Sequence, residues 1–490
     1  MIELLLIIPV ITAALCFLMN RVMHNRRAIE VVSTIGAGIL FIAVLIFVYN
    51  VVSGGAIFEG ALFMDSLSAY MLLIVSFMVF IGAVYSVGYM GHEYEEKQFG
   101  LGRLGDYYTF LHIFVFTMML VCVSNNLGIM WIAIEGTTLA SAFLVSFYNR
   151  DTSLEAAWKY IIICSVGITL ALLGTILVYA SSVNVVGESS NALDWTTLRS
   201  IAGSLDKDLL RIAFILVLVG YGTKVGLAPM HTWLPDAHSQ APTPVSALLS
   251  GVLLNCAMYG ILRFHILSTE AMGPGFSGSL LLLFGVISMV VAAAFIIIAR
   301  DIKRLLAYHS IEHMGIIAIG FGLGGPFGIF GALLHMLNHA LAKSLLFYGA
   351  GNVLLKLKTK IMEDVKGLGQ HMAATAVLLF IGMLALAGSP PFGLFISELS
   401  ILYAAVTQGQ ALVAAIYLLL LIIIFPALLW HIGGMIFGKP TEEVPHGEVS
   451  RLNIWVMVVL AAGLLVLGLV IPGPLATLIG QATSLFGGLT

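Results

Sequence analysis

Charge is scarce in this 490-residue chain: Asp, Glu, Lys and Arg make up 10% of it, against 60% apolar residues. That balance cannot wrap a core in a polar surface, so it excludes an ordinary soluble enzyme. Cysteine is nearly absent as well. Cys16, Cys122, Cys164 and Cys256 lie singly in apolar stretches, with no C-x-x-C pair. Iron–sulfur clusters and structural zinc need clustered thiolates, so the chain is expected to bind no cofactor or metal of that kind. The phosphate-binding pattern G-x-x-x-x-G-K-[ST] is missing, which leaves no internal nucleotide-driven energy source. A net charge of −3 argues neither for nor against nucleic acid in a chain whose charges are so few and so localised, and no nucleic-acid partner is expected. No polar stretch is long enough to fold alone; the longest, about residues 182–210, reads as a loop capping the outer face.

What remains is a series of long apolar runs. Roughly 20 such residues cross about 30 Å of hydrocarbon. The chain therefore reads as an all-α membrane protein of about fourteen spans, near 2–20, 29–52, 66–90, 107–124, 127–148, 157–181, 211–231, 243–267, 278–299, 303–323, 327–355, 374–404, 411–437 and 452–472. Lys and Arg favour cytoplasmic loops. With both termini outside, this count puts most of the 22 basic residues inside, leaves Arg199, Lys207, Arg211 and Arg263 outside, and holds Lys159, Lys224 and Lys343 within spans. The first run has no basic residues ahead of it and a basic loop behind it, as a retained span would. The expected location is the inner membrane of a prokaryotic cell.

Glu135, Lys224, Lys343 and Glu398 each sit inside a long apolar segment. A charge at the bilayer centre costs about 3 kcal/mol on insertion scales, so such residues usually face a polar interior and mark ion or proton routes. Two of them lie beside helix breakers. In "GYGTKVGLAPMHTWLPDAH", Gly220, Gly222 and Gly226 surround Lys224, followed by Pro229, His231 and Pro235; in "ALAGSPPFGLFISEL", Gly388, Pro390, Pro391 and Gly393 precede Glu398. Proline removes a backbone donor, and the freed carbonyls need water or protein partners within the membrane. Helices 7 and 12 are therefore expected to be broken around hydrated cavities, as in transporters made of two inverted repeats. The expected organisation is residues 1–106 (helices 1–3), 107–267 (first five-helix repeat, helices 4–8), 278–437 (second repeat, helices 9–13) and 438–490 (helix 14).

Between the breaks, "ALLHMLNHALAKSLLF" places His335, His339 and Lys343 at i, i+4 and i+8 on one helical face. His309 and His313 share a face in "RDIKRLLAYHSIEHMGI", with Glu312 alongside. Histidine both donates and accepts near neutrality, so such a stripe suits stepwise proton transfer. Two His on one turn could instead bind zinc. No carboxylate or thiolate is visibly supplied to complete that shell, and H-E-x-x-H is absent.

"YGTKVGLAPMHTWLPDAHSQAPTPVSALLSG", "RDIKRLLAYHSIEHMG", "HMLNHALAKSLLFYGAG" and "SPPFGLFISEL" resemble the antiporter-like, proton-translocating subunits shared by respiratory complex I, Mrp antiporters and energy-converting NiFe hydrogenases. "IEGTTLASAFLVSFYNRDTSLEAAWKYIIICSVGITLALLGT" is most similar to the hydrogenase-4 component F branch. The resemblance implies a proton path through Glu135, Lys224, His335, His339, Lys343 and Glu398, with Lys159, His309, His313 and His231 as further candidates. It implies a Lys or His where this chain has Asn255, which takes up no proton near neutral pH. It also implies partners: other antiporter-like and small membrane subunits, and peripheral hydrogenase and iron–sulfur subunits that hold the NiFe and iron–sulfur centres. The chain would then be a subunit of an oxidoreductase complex with no catalytic redox centre of its own. An Mrp-type Na⁺/H⁺ subunit, a complex I pumping subunit and a non-conducting scaffold are the competing expectations.

Overall fold

The computed structural model describes residues 2–439 and 446–487. The chain ends, whose side of the membrane is an expectation from charge, fall outside those residues. So does part of the segment joining helix 13 to helix 14.

The chain is almost wholly helical. In order it forms α1 (Glu3–Val22), α2 (Arg26–Gly54), α3 (Ser66–Glu95), α4 (Leu101–Val123), α5 (Leu127–Val145), α6 (Asp151–Val186), a short α7 (Trp195–Ser200), α8 (Lys207–Val225) and α9 (Trp233–Gln240). Then follow α10 (Thr243–Leu248), α11 (Leu254–Met272), α12 (Gly275–Ile298), α13 (Ile302–Leu323), α14 (Gly325–Leu357), α15 (Leu368–His371), α16 (Ala373–Leu386), α17 (Gly393–Thr407), α18 (Ala411–Phe437), α19 (Arg451–Leu469) and α20 (Gly473–Ser484). A two-stranded hairpin, Ile57–Glu59 with Leu62–Met64, joins α2 to α3. Each of the fourteen predicted segments overlaps helix, the two that carry the expected breaks being helical only in part. Among the described residues, eleven helices are long and apolar enough to cross a membrane. This is a multi-pass membrane protein.

Both expected breaks are present. α8 stops at Gly226, whose φ of +81° suits a residue without Cβ, and α9 resumes at Trp233. Leu227 N donates to Gly222 O (2.9 Å) and the Trp233 indole to Thr223 O (2.8 Å), so protein groups satisfy carbonyls that the break frees. α16 and α17 are likewise separated by residues 387–392, with Gly388 at φ +63°. A third interruption was not expected: between α10 and α11 the helix widens into a π-turn over Leu249–Leu253.

The core lies along α14 and the α10–α11 segment, which are buried nearly throughout, while α1, α2, α18 and α19 keep exposed apolar faces. Lipid supplies no hydrophobic drive between helices, so close packing must hold them, and small residues permit it. At the α12–α13 crossing a Cβ on Gly285 would meet Gly315 O at 2.7 Å, and one on Gly278 would meet Gly322 O at 2.7 Å.

Arg263 is not in an outside loop as its charge suggested. It is buried in α11, with Nη1 and Nη2 donating to the Asp65 carboxylate at 2.6 and 2.8 Å, and it stacks over Trp195. Trp195 opens α7, inside the stretch 182–210 that was expected to be a loop and that also holds the end of α6 and the start of α8, and its indole donates to Arg263 O (3.0 Å). Removing one partner strands a buried charge, typically at about 3–5 kcal/mol. Arg263→Met is expected to lower thermal stability and assembly measurably, and Asp65→Asn to do the same, as followed by the melting temperature of the detergent-solubilised protein.

Candidate functional site

Lys224, in the last turn of α8, is completely buried. Its Nζ donates to Thr138 Oγ1 (2.8 Å) and to the Tyr160 hydroxyl, and it lies 4.5 Å from the Tyr160 ring centre. Glu135 does not reach it directly. The half-buried Glu135 carboxylate instead accepts from the Thr138 hydroxyl (3.1 Å) and the Ser165 hydroxyl (2.8 Å). Thr138, one helical turn from Glu135 on α5, therefore bridges acid and amine: it accepts from Lys224 and donates to Glu135. A hydroxyl thus stands between the acid and the amine. Thr138, Tyr160 and Ser165 carried no signal by type, although their place on the spans flanking α8 could have marked them.

The second cluster surrounds α14. His313 Nδ1 and His335 Nε2 share a hydrogen bond of 2.8 Å, and His335 Nδ1 meets Ser397 Oγ on α17 at 2.9 Å. The His339 ring centre is 5.3 Å from that of His313, and both its nitrogens lack a partner. His309 Nδ1 meets Glu312 Oε2 at 2.7 Å. Lys343 is fully buried, and its Nζ donates to Leu306 O. Ligand atoms of His313, His335 and Glu398 all lie within 4.8 Å of one another, as do those of His309, Glu312 and His313. One carboxylate, Glu398, thus comes from α17 through packing, and the other, Glu312, from α13 itself.

Glu398 lines a cleft of about 410 Å³ with Tyr417 and Pro426 of α18. Its carboxylate presses on Gly388, leaving no room for a Cβ there. Gly388→Ala adds a side chain at positive φ, which costs about 1–2 kcal/mol, and pushes the carboxylate away. We expect this variant to assemble but to lose most of any ion transfer through Glu398, read as transport per assembled complex.

Asn255 follows the π-turn. Its Nδ2 donates to Gly251 O (2.8 Å) and Met336 O (3.3 Å), while Oδ1 has no partner. It touches α14 but carries no titratable group. His231 sits in the α8–α9 break, mostly buried, with Nδ1 unpartnered. Lys159 stands apart: its side chain is 47% exposed and pairs with Glu155 (2.7 Å) and Asp236 (3.2 Å).

Residues 124–424 match the family described as NADH:quinone oxidoreductase/Mrp antiporter, and residues 52–99 match the complex I chain 5 N-terminus. The chain belongs to this antiporter-like family. It is 43% identical to the hydrogenase-4 component F homolog of Methylacidiphilum infernorum, over 78% of this chain and 81% of that one. Hydrogenase-4 component B of Escherichia coli is 37% identical over 68% of this chain, which spans 49% of that longer protein. The antiporter-like fold extends to a chain of the membrane-bound sulfane sulfur reductase, an archaeal respiratory membrane complex, with TM-score 0.87, 22% identity and coverage of 99% and 98%. A chain of the Mrp complex from Dietzia sp. DQ12-45-1b gives TM-score 0.86, 21% identity and coverage of 99% and 96%. These relatives are components of multi-subunit membrane complexes.

Proposed function

We propose that this antiporter-like subunit carries protons across the membrane for an energy-converting complex of the NiFe-hydrogenase or formate-hydrogenlyase type, whose partner subunits hold the redox centres. The observation that carries the reading is the buried, hydrogen-bonded cluster His313–His335–Ser397 with Glu398 and Lys343 beside it. Neutral imidazoles that share hydrogen bonds pass protons by exchanging donor and acceptor roles. Lys224 takes up a proton, Glu135 influences its release through Thr138, and Glu398 delivers it to the far side. Helices 4–8 (107–267) and 9–13 (278–437) act as two units, each with one broken helix beside an ionisable residue; residues 1–106 and 438–490 flank them. The face rich in Lys and Arg is assigned to the cytoplasm, and the prokaryotic inner membrane is the proposed location.

The test is proton uptake into sealed vesicles during redox turnover of the complete complex, comparing wild type with Glu398→Gln in buffers with and without sodium. Loss of uptake in the variant with normal assembly supports the reading. Unchanged uptake supports a scaffold, and uptake that requires sodium supports Na⁺/H⁺ exchange.

A further inference from the structure

A cavity of about 530 Å³ opens on the basic face, where the ends of α3, α9, α13 and α14 meet. Two of the ionisable groups lining it are buried and play no part in the path above. Glu93 is 8% exposed, and the Tyr148 hydroxyl lies 2.8 and 2.7 Å from its two oxygens, donating to the carboxylate. Lys303 is 2% exposed, and its Nζ donates to Ala241 O (2.5 Å). Hydrogen bonds offset part of the cost of burying this carboxylate and this amine, and ionisable groups buried beside a polar cavity mark a functional site. At the rim, by contrast, Glu96 is held below the usual carboxylate value by its hydrogen bond from Lys358. It stays charged in its pair with Lys358.

Inward from this cavity lies His238, fully buried, with both ring nitrogens unpartnered and its ring stacked 5.3 Å from Phe347 of α14. It interacts electrostatically with both Lys303 and Lys343. His339, whose nitrogens are also unpartnered, interacts with His238 and Lys343 in turn. Buried polar atoms without partners are rare and call for a ligand or water. By contrast, Asn255, which reaches α14 at Met336 O, holds no titratable proton.

We propose that this cavity is a second, water-filled intake that loads Lys343 from the basic face through Glu93, Lys303 and His238 without passing Lys224, each turnover requiring both this loading and proton uptake at Lys224. The proposal rests on the proton-translocation reading. Each step moves one proton between lone pairs: the Lys303 ammonium gives one to neutral His238 and regains one from protonated Glu93, which is reloaded by hydronium relayed through the cavity water from the basic face. His238 then passes its proton to His339 or Lys343, and no other bond changes.

The test uses the whole complex in sealed vesicles with the basic face outward. Gln240 lines the cavity outside the proposed line, and the four native cysteines are buried. Gln240→Cys is expected to pump like wild type until a membrane-impermeant cationic methanethiosulfonate plugs the cavity. Pumping should then fall at least about tenfold, the scale of a lost proton-transfer step. Glu93→Gln should lose pumping with assembly intact, and Glu93→Asp should restore part of it. Wild-type pumping by the fully modified Gln240→Cys protein, or by Glu93→Gln, would overturn the proposal. If the wild type itself does not pump, the translocation reading fails instead.

Discussion

Replacing Lys343 by Met is expected to end proton transfer while leaving the protein as stable as before, or more so. Lys343 is fully buried on α14 and its amine reaches only the Leu306 carbonyl. No acid lies at ion-pair distance from it among the described residues, so its charge is held at a desolvation cost. Methionine fills nearly the same volume without that cost. The two effects have opposite signs, which separates function from folding. Pumping per assembled complex should fall by about a hundredfold, as for loss of a positioned proton-transfer group, while the melting temperature should not drop. A variant that pumped normally would place the path elsewhere, and one that failed to assemble would make Lys343 a structural residue.

Lys224→Ala should be nearly as damaging, and Thr138→Val should separate its two roles. Lys224 is held by the hydroxyls of Thr138 and Tyr160 and by the Tyr160 ring, all neutral partners that let a proton leave. Valine matches threonine in shape but removes the hydroxyl joining Lys224 to Glu135. If Glu135 sets when Lys224 releases its proton, Thr138→Val should keep the fold and lose about tenfold in pumping. A variant that retained full pumping would reduce Glu135 to a polar lining residue. Lys224→Ala leaves a cavity of several methylenes, so its loss of pumping must be measured per assembled complex.

Much of the candidate site was legible because its signals are local. His335, His339 and Lys343 follow one helical face, and α14 presents them together as their spacing requires. The Gly and Pro runs near Lys224 and Glu398 do interrupt their helices. Lys159 shows where that reasoning weakens: an apolar neighbourhood in sequence did not prevent its amine from reaching Glu155 and Asp236 at a half-exposed position. Glu93, His238 and Lys303 went unread for the opposite reason. Each lies near the end of its helix, where a charge looks solvated, and only the packing of α3, α9, α13 and α14 buries them.

The sequence by itself determined the membrane class, the succession of helices, their two proline-marked breaks and the residues able to carry charge. Hydrophobic run length, helical periodicity and proline sterics act over a few residues and need no partner. Tertiary structure alone decided which of those residues meet. Thr138 came between Glu135 and Lys224, Glu398 arrived beside His313 and His335, Asp65 paired with Arg263 across the sequence, and the π-turn turned Asn255 toward α14. Such contacts join distant segments, and in lipid they follow from close packing and from satisfying every buried polar group, which no local pattern encodes.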